Sequence, residues 1–111
     1  MKHIIAYIKP HKLSPVTLAL QKIKNLPGMT VLEVKGFGRC AEKKTSLEDQ
    51  LYDFVPHIKI EIFCPDAMVD ELVTTIEREA HTGLKGDGKI YVCDAEQAVR
   101  ISTGERGDTA V

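Results

Sequence analysis

Thr82-Gly83-Leu84-Lys85-Gly86-Asp87-Gly88-Lys89 lies between a stretch of helical periodicity and one of strand alternation, and its reading sets the order of everything around it. Its three glycines remove the Cβ atoms that keep other groups off a backbone, and each tolerates a positive φ. Such a turn closes a helix and hands the chain to a strand that starts at Ile90. A row of N–H groups in a turn of this kind also forms a concavity suited to an anion. Lys85, Asp87 and Lys89 bring charge of both signs to it. One glycine loop alone is most simply a helix cap and a turn. Here it has company: Gly36-Phe37-Gly38-Arg39 forms a second glycine loop, and Arg100 opens a tail reading Arg-Ile-Ser-Thr-Gly-Glu-Arg-Gly. Three clusters of glycine and base in one short chain point to a single polyanion site assembled from several segments.

Working outward, the residues before the glycine loop carry an apolar stripe of Val69, Leu72, Val73 and Ile76, a helix opened by Pro65-Asp66 and closed near His81 with Gly83 as its cap. Ahead of it, Ile58, Ile60, Ile62 and Cys64 alternate with His57, Lys59, Glu61 and Phe63, a strand with one buried face. The same order occurs earlier in the chain. Lys2 to Lys9 alternates, with Ile4, Ala6 and Ile8 on one face and His3, Ile5 and Tyr7 on the other, and Pro10 ends it. Ser14-Pro15 reads as N-cap and first helical position, with Leu13 and Leu18 at staple spacing. Val16, Ala19, Leu20 and Ile23 then predict a helix to about Lys24. Met29 to Val34 is a second strand, Ile90 to Cys93 a fourth, and Val99 to Ser102 a short extra one. The order βαββαβ folds as two right-handed halves into an antiparallel four-stranded sheet with both helices on one face, the ferredoxin-like α+β plait. Residues 40–53 are polar and lack alternation, an exposed excursion between two strands in which Ser46 and Asp49 could cap one helical turn. The uncovered sheet face, partly apolar through Ile5, Tyr7 and Phe63, predicts an oligomer.

A chain of 111 residues with this composition forms one domain, 1–111, with a loop at about 40–53 and a tail at about 99–111. A net charge of −1 does not suggest nucleic acid or an acidic membrane as a partner, since those need a basic face. The apolar runs are too short to span a bilayer, and the N-terminus runs into a strand without signal-peptide anatomy. Cys40, Cys64 and Cys93 are odd in number and far apart, which argues against a disulfide framework or a zinc knuckle and for a cytoplasmic protein with reduced thiols. Cys64 and Cys93, at strand positions, read as small core hydrophobes.

Lys9-Pro10, Gly28-Met29-Thr30, Glu33 through Arg39, Lys59-Ile60-Glu61, Thr82-Gly83 with Gly86 through Ile90, and Arg100 with Thr103 through Gly107 resemble the PII signal-transduction proteins along nearly the whole chain. The resemblance implies a homotrimer that binds adenine nucleotide in clefts between subunits and docks a long loop on transporters, enzymes or regulators. It implies no enzymatic activity. By position, Gly28, Met29, Thr30, Glu61 and Phe63 would surround adenine and ribose. Gly36, Phe37, Gly38 and Arg39 with Gly86, Asp87, Gly88 and Lys89 would meet the phosphates, and Arg100 would join them from the tail.

The sequence departs from the family's usual pattern at four places. Cys40 stands where a glutamine usually helps hold magnesium and 2-oxoglutarate, and a thiol is a poor ligand for a hard cation. His57 replaces a lysine that pairs with the 2-oxoglutarate carboxylate. These two changes point away from ordinary 2-oxoglutarate sensing and from magnesium, and mark Cys40 and His57 as an altered effector site. Ser102 replaces a second tail arginine; a lost charge-assisted hydrogen bond costs about 1.5–3 kcal/mol, which tilts the site toward ADP or AMP over ATP. The long loop is slightly shortened and lacks the usual setting of the modified tyrosine, leaving Tyr52 near the next strand.

The expectation is therefore a cytoplasmic, non-enzymatic nucleotide-binding regulator. It would sense a second small metabolite, with bicarbonate the candidate by analogy, and act on a partner such as a membrane transporter without entering the membrane itself. The alternatives are a standard PII nitrogen regulator of ATP and 2-oxoglutarate, and a small ferredoxin-like phosphohydrolase. The latter lacks a credible nucleophile and base near the glycine loops.

Overall fold

The computed structural model describes residues 1–37 and 54–111. Strand β1 spans Lys2–Ile8, a 3-10 turn follows at Pro10–Lys12, and helix α1 covers Leu13–Gln21. Strands β2, Met29–Gly36, and β3, Val55–Cys64, flank the long loop. A second 3-10 turn, Asp66–Met68, leads into helix α2, Val69–Ala80, and strand β4 covers Gly88–Asp94. The sheet is antiparallel throughout in the order β2-β3-β1-β4. This is the α+β plait that the alternation and helical stripes predict.

The core is the layer between sheet and helices. Ile4, Ala6 and Ile8 of β1 and Ile58, Ile60, Ile62 and Cys64 of β3 point into it, with Ile4 opposite Ile62 and Ala6 opposite Ile60. Val16 and Leu20 of α1 and Leu72, Ile76 and Ala80 of α2 close it from above. The two central strands alternate strictly because only one of their faces is covered, so a slip of one residue would turn every isoleucine outward. The other face presents His3, Ile5, Tyr7, Lys59, Glu61 and Phe63, joined by Leu32 of β2 and by Tyr91 of β4.

Several boundaries differ from expectation for identifiable reasons. β3 begins at Val55 and runs through Pro56. Pairing with β1 stops at Ile58, so at Pro56 the strand has a neighbour only in β2, and a missing N–H on the other side breaks nothing. Ser14 is not a cap: α1 begins at Leu13, no side chain caps it, and Leu18 is exposed rather than stapled to Leu13. The 3-10 turn at Pro10–Lys12 starts the helical geometry early, and Pro15 still falls in the first turn of α1, where proline is tolerated. Gly83 does not cap α2, which ends at His81 in an extended conformation. Val99 to Ser102 forms no strand; Val99 makes an isolated bridge with Arg106, and the chain turns over 101–103. Cys64 is a core residue, but Cys93 lies on the open face opposite His3. The expected loop 40–53, with Ser46, Asp49, Tyr52 and Cys40, lies outside the described residues.

Candidate functional site

The glycine loop is tied down by its own aspartate. Asp87 accepts hydrogen bonds from the Thr82 N–H (2.9 Å), the Gly83 N–H (3.2 Å) and the Thr82 hydroxyl. Lys9, just past β1, places Nζ 3.2 Å from the Asp87 carboxylate and donates to the Thr82 hydroxyl oxygen at 3.2 Å. The Thr82 and Gly83 donors and the Lys9 ammonium hold the Asp87 carboxyl far below the usual carboxylate range, Thr82 most of all. Asp87 is therefore a structural anion, and its charge is spent inside the loop. Gly83, Gly86 and Gly88 all adopt positive φ (82°, 84° and 104°), which lets the chain double back over the residues 81–87 that join α2 to β4. His57 reaches this loop from β3, with Nε2 3.2 Å from the Gly86 carbonyl oxygen and Nδ1 3.2 Å from that of Val55.

Gly36 ends β2 at the same edge of the sheet, and Phe37 follows it. The rings of Phe37 and Phe54 meet at 5.9 Å between centroids, a tilted pair that joins the two stems of the long loop. Gly36, Phe37, His57 and Gly86 to Lys89 thus share one end of the sheet.

A second group lies at the opposite end. β2 starts there with Met29 opposite Ile62 and Thr30 opposite Glu61, and Gly28 precedes it. Glu61 accepts from Lys59 at 2.9 Å and lies 3.4 Å from His3 Nε2, while the His3 ring stacks on Phe63 at 4.2 Å. The Lys59 bond lowers the Glu61 carboxyl and raises the Lys59 ammonium. The tail leaves from this end too, since β4 finishes at Asp94 opposite Lys2 and the Ala95 N–H donates to the Met1 carbonyl. Within the tail, the Arg100 and Gly104 N–H groups close a tight turn on Glu105 and Arg100 carbonyls (2.9 and 2.7 Å). The Arg100 guanidinium lies 3.7 Å from the Glu105 carboxylate and donates to the Thr109 carbonyl at 3.4 Å. Ser102 is exposed in the turn.

Residues 1–105 match the family described as "Nitrogen regulatory protein P-II". Nitrogen regulatory protein P-II 1 of Escherichia coli is 50% identical, with both chains covered in full. The nitrogen regulatory proteins P-II of Klebsiella oxytoca and Azospirillum brasilense are 49% and 45% identical, again over the whole of both chains. This chain belongs to the P-II family. It is accordingly a regulatory signal-transduction protein of the nitrogen regulatory class and not an enzyme.

The P-II fold brings the sequence-predicted residues into two groups, one at each end of the sheet. Gly36, Phe37 and Gly86 to Lys89 form one; Gly28, Met29, Thr30, Glu61 and Phe63 form the other, at the end from which the tail with Arg100 and Ser102 emerges. Gly38, Arg39 and Cys40 lie outside the described residues. Sequence reading did not find the tie of Lys9 and Thr82 to Asp87, nor Phe54 as the partner of Phe37. The Lys9 contacts join residues more than seventy positions apart and leave no local pattern. Phe54 did have a signal, since an aromatic at each stem of one loop is a natural pair. Among the described residues no cluster of three or more His, Cys, Asp or Glu side chains could hold a metal, and no helix is long and apolar enough to cross a membrane.

Proposed function

We propose that this P-II protein binds adenine nucleotide between copies of itself, ADP or AMP in preference to ATP, and signals through residues 40–53 to a regulated partner such as a membrane transporter. The observation behind this reading is the separation of the two residue groups. β1 runs seven residues from one to the other, roughly 20 Å. The glycine-loop end offers turns and bases suited to phosphates, and the other end offers Thr30, Glu61 and Phe63 for a base and sugar. A nucleotide that uses both needs the phosphate end of one copy beside the opposite end of the next. Such a head-to-tail contact closes into a ring, and a homotrimer is the ring proposed here. The partly apolar open face, with Ile5, Tyr7, Leu32, Phe63 and Tyr91, is then covered by assembly.

The nucleotide preference follows from Ser102, which offers a short hydroxyl where a guanidinium would reach an outer phosphate. The second effector is proposed to be a small anion such as bicarbonate in place of 2-oxoglutarate. Both ring nitrogens of His57 already face backbone carbonyls, so it does not present a free cation to a dicarboxylate. Cys40 adds no hard-cation ligand for magnesium.

Calorimetric titration with AMP, ADP and ATP tests this, each alone, with 2-oxoglutarate and magnesium, and with bicarbonate. ADP or AMP should bind more tightly than ATP, bicarbonate should change that affinity, and 2-oxoglutarate should leave it unchanged. Marked tightening of ATP by 2-oxoglutarate would make the protein a standard nitrogen sensor. Absence of any nucleotide binding would remove the reading altogether.

A further inference from the structure

His57 faces a backbone acceptor from each of its ring nitrogens. Both of its ring nitrogens lie 3.2 Å from backbone carbonyl oxygens, Nδ1 from Val55 and Nε2 from Gly86. A carbonyl only accepts, and a neutral imidazole carries one N–H, so one of the two contacts would set lone pair against lone pair. The imidazolium donates to both. We propose that His57 is a proton-dependent positioning residue of the glycine loop: protonated, it bridges the first residue of β3 to Gly86 and fixes the orientation of the Gly86–Asp87 peptide.

The consequence follows from the planarity of that peptide. Its C=O and N–H point in opposite directions, so holding the Gly86 carbonyl against β3 turns the Asp87 N–H away from β3. Gly86, at φ 84°, lacks the Cβ that would resist rotation of this peptide, so the backbone alone does not fix it. The far side of the loop is secured independently by Lys9, Thr82 and Asp87. The middle depends on His57. When the ring loses a proton it can keep one carbonyl or the other, and the grip on Gly86 weakens.

Among the described residues, the charged groups around the ring do not supply this switch themselves. From β2, Glu33 and Lys35 share with His57 a groove of about 420 Å³, and they are of opposite sign. On its own strand, Lys59 is paired with Glu61 at 2.9 Å. From the end of β1 and from the loop, Lys9 and Asp87 are paired with each other at 3.2 Å, and His81 Nδ1 lies 3.6 Å from the same carboxylate. Among the described residues, the contacts that discriminate between the two protonation states are the two carbonyls. For phosphate binding, which rests on the proposed nucleotide reading, the pre-set loop should bind more tightly as pH falls through the His57 titration.

Backbone and ring resonances of the full-length protein between about pH 5 and pH 8.5 decide the switch without any nucleotide. An H81N background removes the other histidine near Asp87. The Asp87 amide should move with the same midpoint as the His57 ring, and H57Q should flatten it. An Asp87 amide indifferent to the His57 titration, or titrating unchanged in H57Q, overturns the proposal. ADP titration at about pH 6 and about pH 8 then reads the consequence. The wild type should lose roughly threefold to tenfold more affinity than H57Q between the two, the scale of one net hydrogen bond. H57K, with a fixed ammonium, should restore tight binding at the higher pH. Ionisation of the nucleotide is common to all three proteins and cancels in the comparison. Equal pH dependence in wild type and H57Q also overturns the proposal. Failure of the wild type to bind ADP at either pH removes the nucleotide reading, while the amide titration still decides the role of His57.

Discussion

A Cβ built on Gly88 would lie 1.7 Å from the carbonyl oxygen of Tyr7, with the Tyr7 carbonyl carbon at 2.7 Å. Both atoms are backbone of the central strand β1, which cannot withdraw without losing its pairing to β3 and β4. Gly88 also sits at φ 104°. G88A should therefore cost about 3 kcal/mol or more and detach the start of β4. G28A is the contrast, since nothing lies within 4 Å of its added Cβ and its φ is not in the left-handed region. It should be neutral or stabilising by a few tenths of a kcal/mol, about the entropy removed from the unfolded chain. Urea unfolding of the two variants checks the pair.

Asp87 sets an acid limb on stability. Its carboxyl is depressed in the folded protein, chiefly by Thr82, and lies near the ordinary carboxylate value of about 3.9 when the chain unfolds. The stabilisation is complete above the unfolded value and is lost as pH falls through the folded one. Unfolding free energy should thus decline from about pH 4 downward and continue to fall below about pH 2. Glu61 and Asp66 are shifted in the same direction and contribute to the same limb. D87N should be less stable at neutral pH and show a shallower acid limb than wild type. Thermal midpoints taken over that range would reject the assignment if the two slopes matched.

Phe37 and Phe54 close the stems of the long loop, with centroids 5.9 Å apart and planes at 51°. Both rings are otherwise exposed, so each contributes mainly through the other. A double-mutant cycle of F37A and F54A should return a coupling of about 0.5–1 kcal/mol. Additive effects in denaturant unfolding would show that the rings do not act as a pair.

The sequence announced elements wherever burial imposes a period. Ile58 to Cys64 was legible because β3 has one covered and one open face, and the stripe of α2 because it packs on that same layer. Where both phases are apolar the signal fails. Ile90-Tyr91-Val92-Cys93 does not reveal which residues face the helices, and Cys93 falls on the open side. Pro56 hid the start of β3, because its tolerance depends on where β1 ends. In the site, the glycines stood out from composition and spacing. The ties that shape their loop, from Lys9 and His57, come from distant strands and had no local mark.

Cys93 provides a reporter for assembly. It is exposed on the uncovered sheet face, whereas Cys64 is sealed in the core and its thiol is pushed up by burial. In a C40S background a thiol reagent should therefore label one cysteine, Cys93, and leave Cys64 untouched until unfolding. If copies associate through the open face, Cys93 becomes enclosed beside His3 and Phe63, and its labelling should slow as protein concentration rises through the assembly range. L32E, which places a charge on the same face, should restore fast labelling and shift the protein to a smaller species in sedimentation. Charge burial across an interface costs several kcal/mol, so one such substitution suffices to test the face. Constant labelling of Cys93 across a concentration range in which sedimentation shows association would place the contact elsewhere on the molecule.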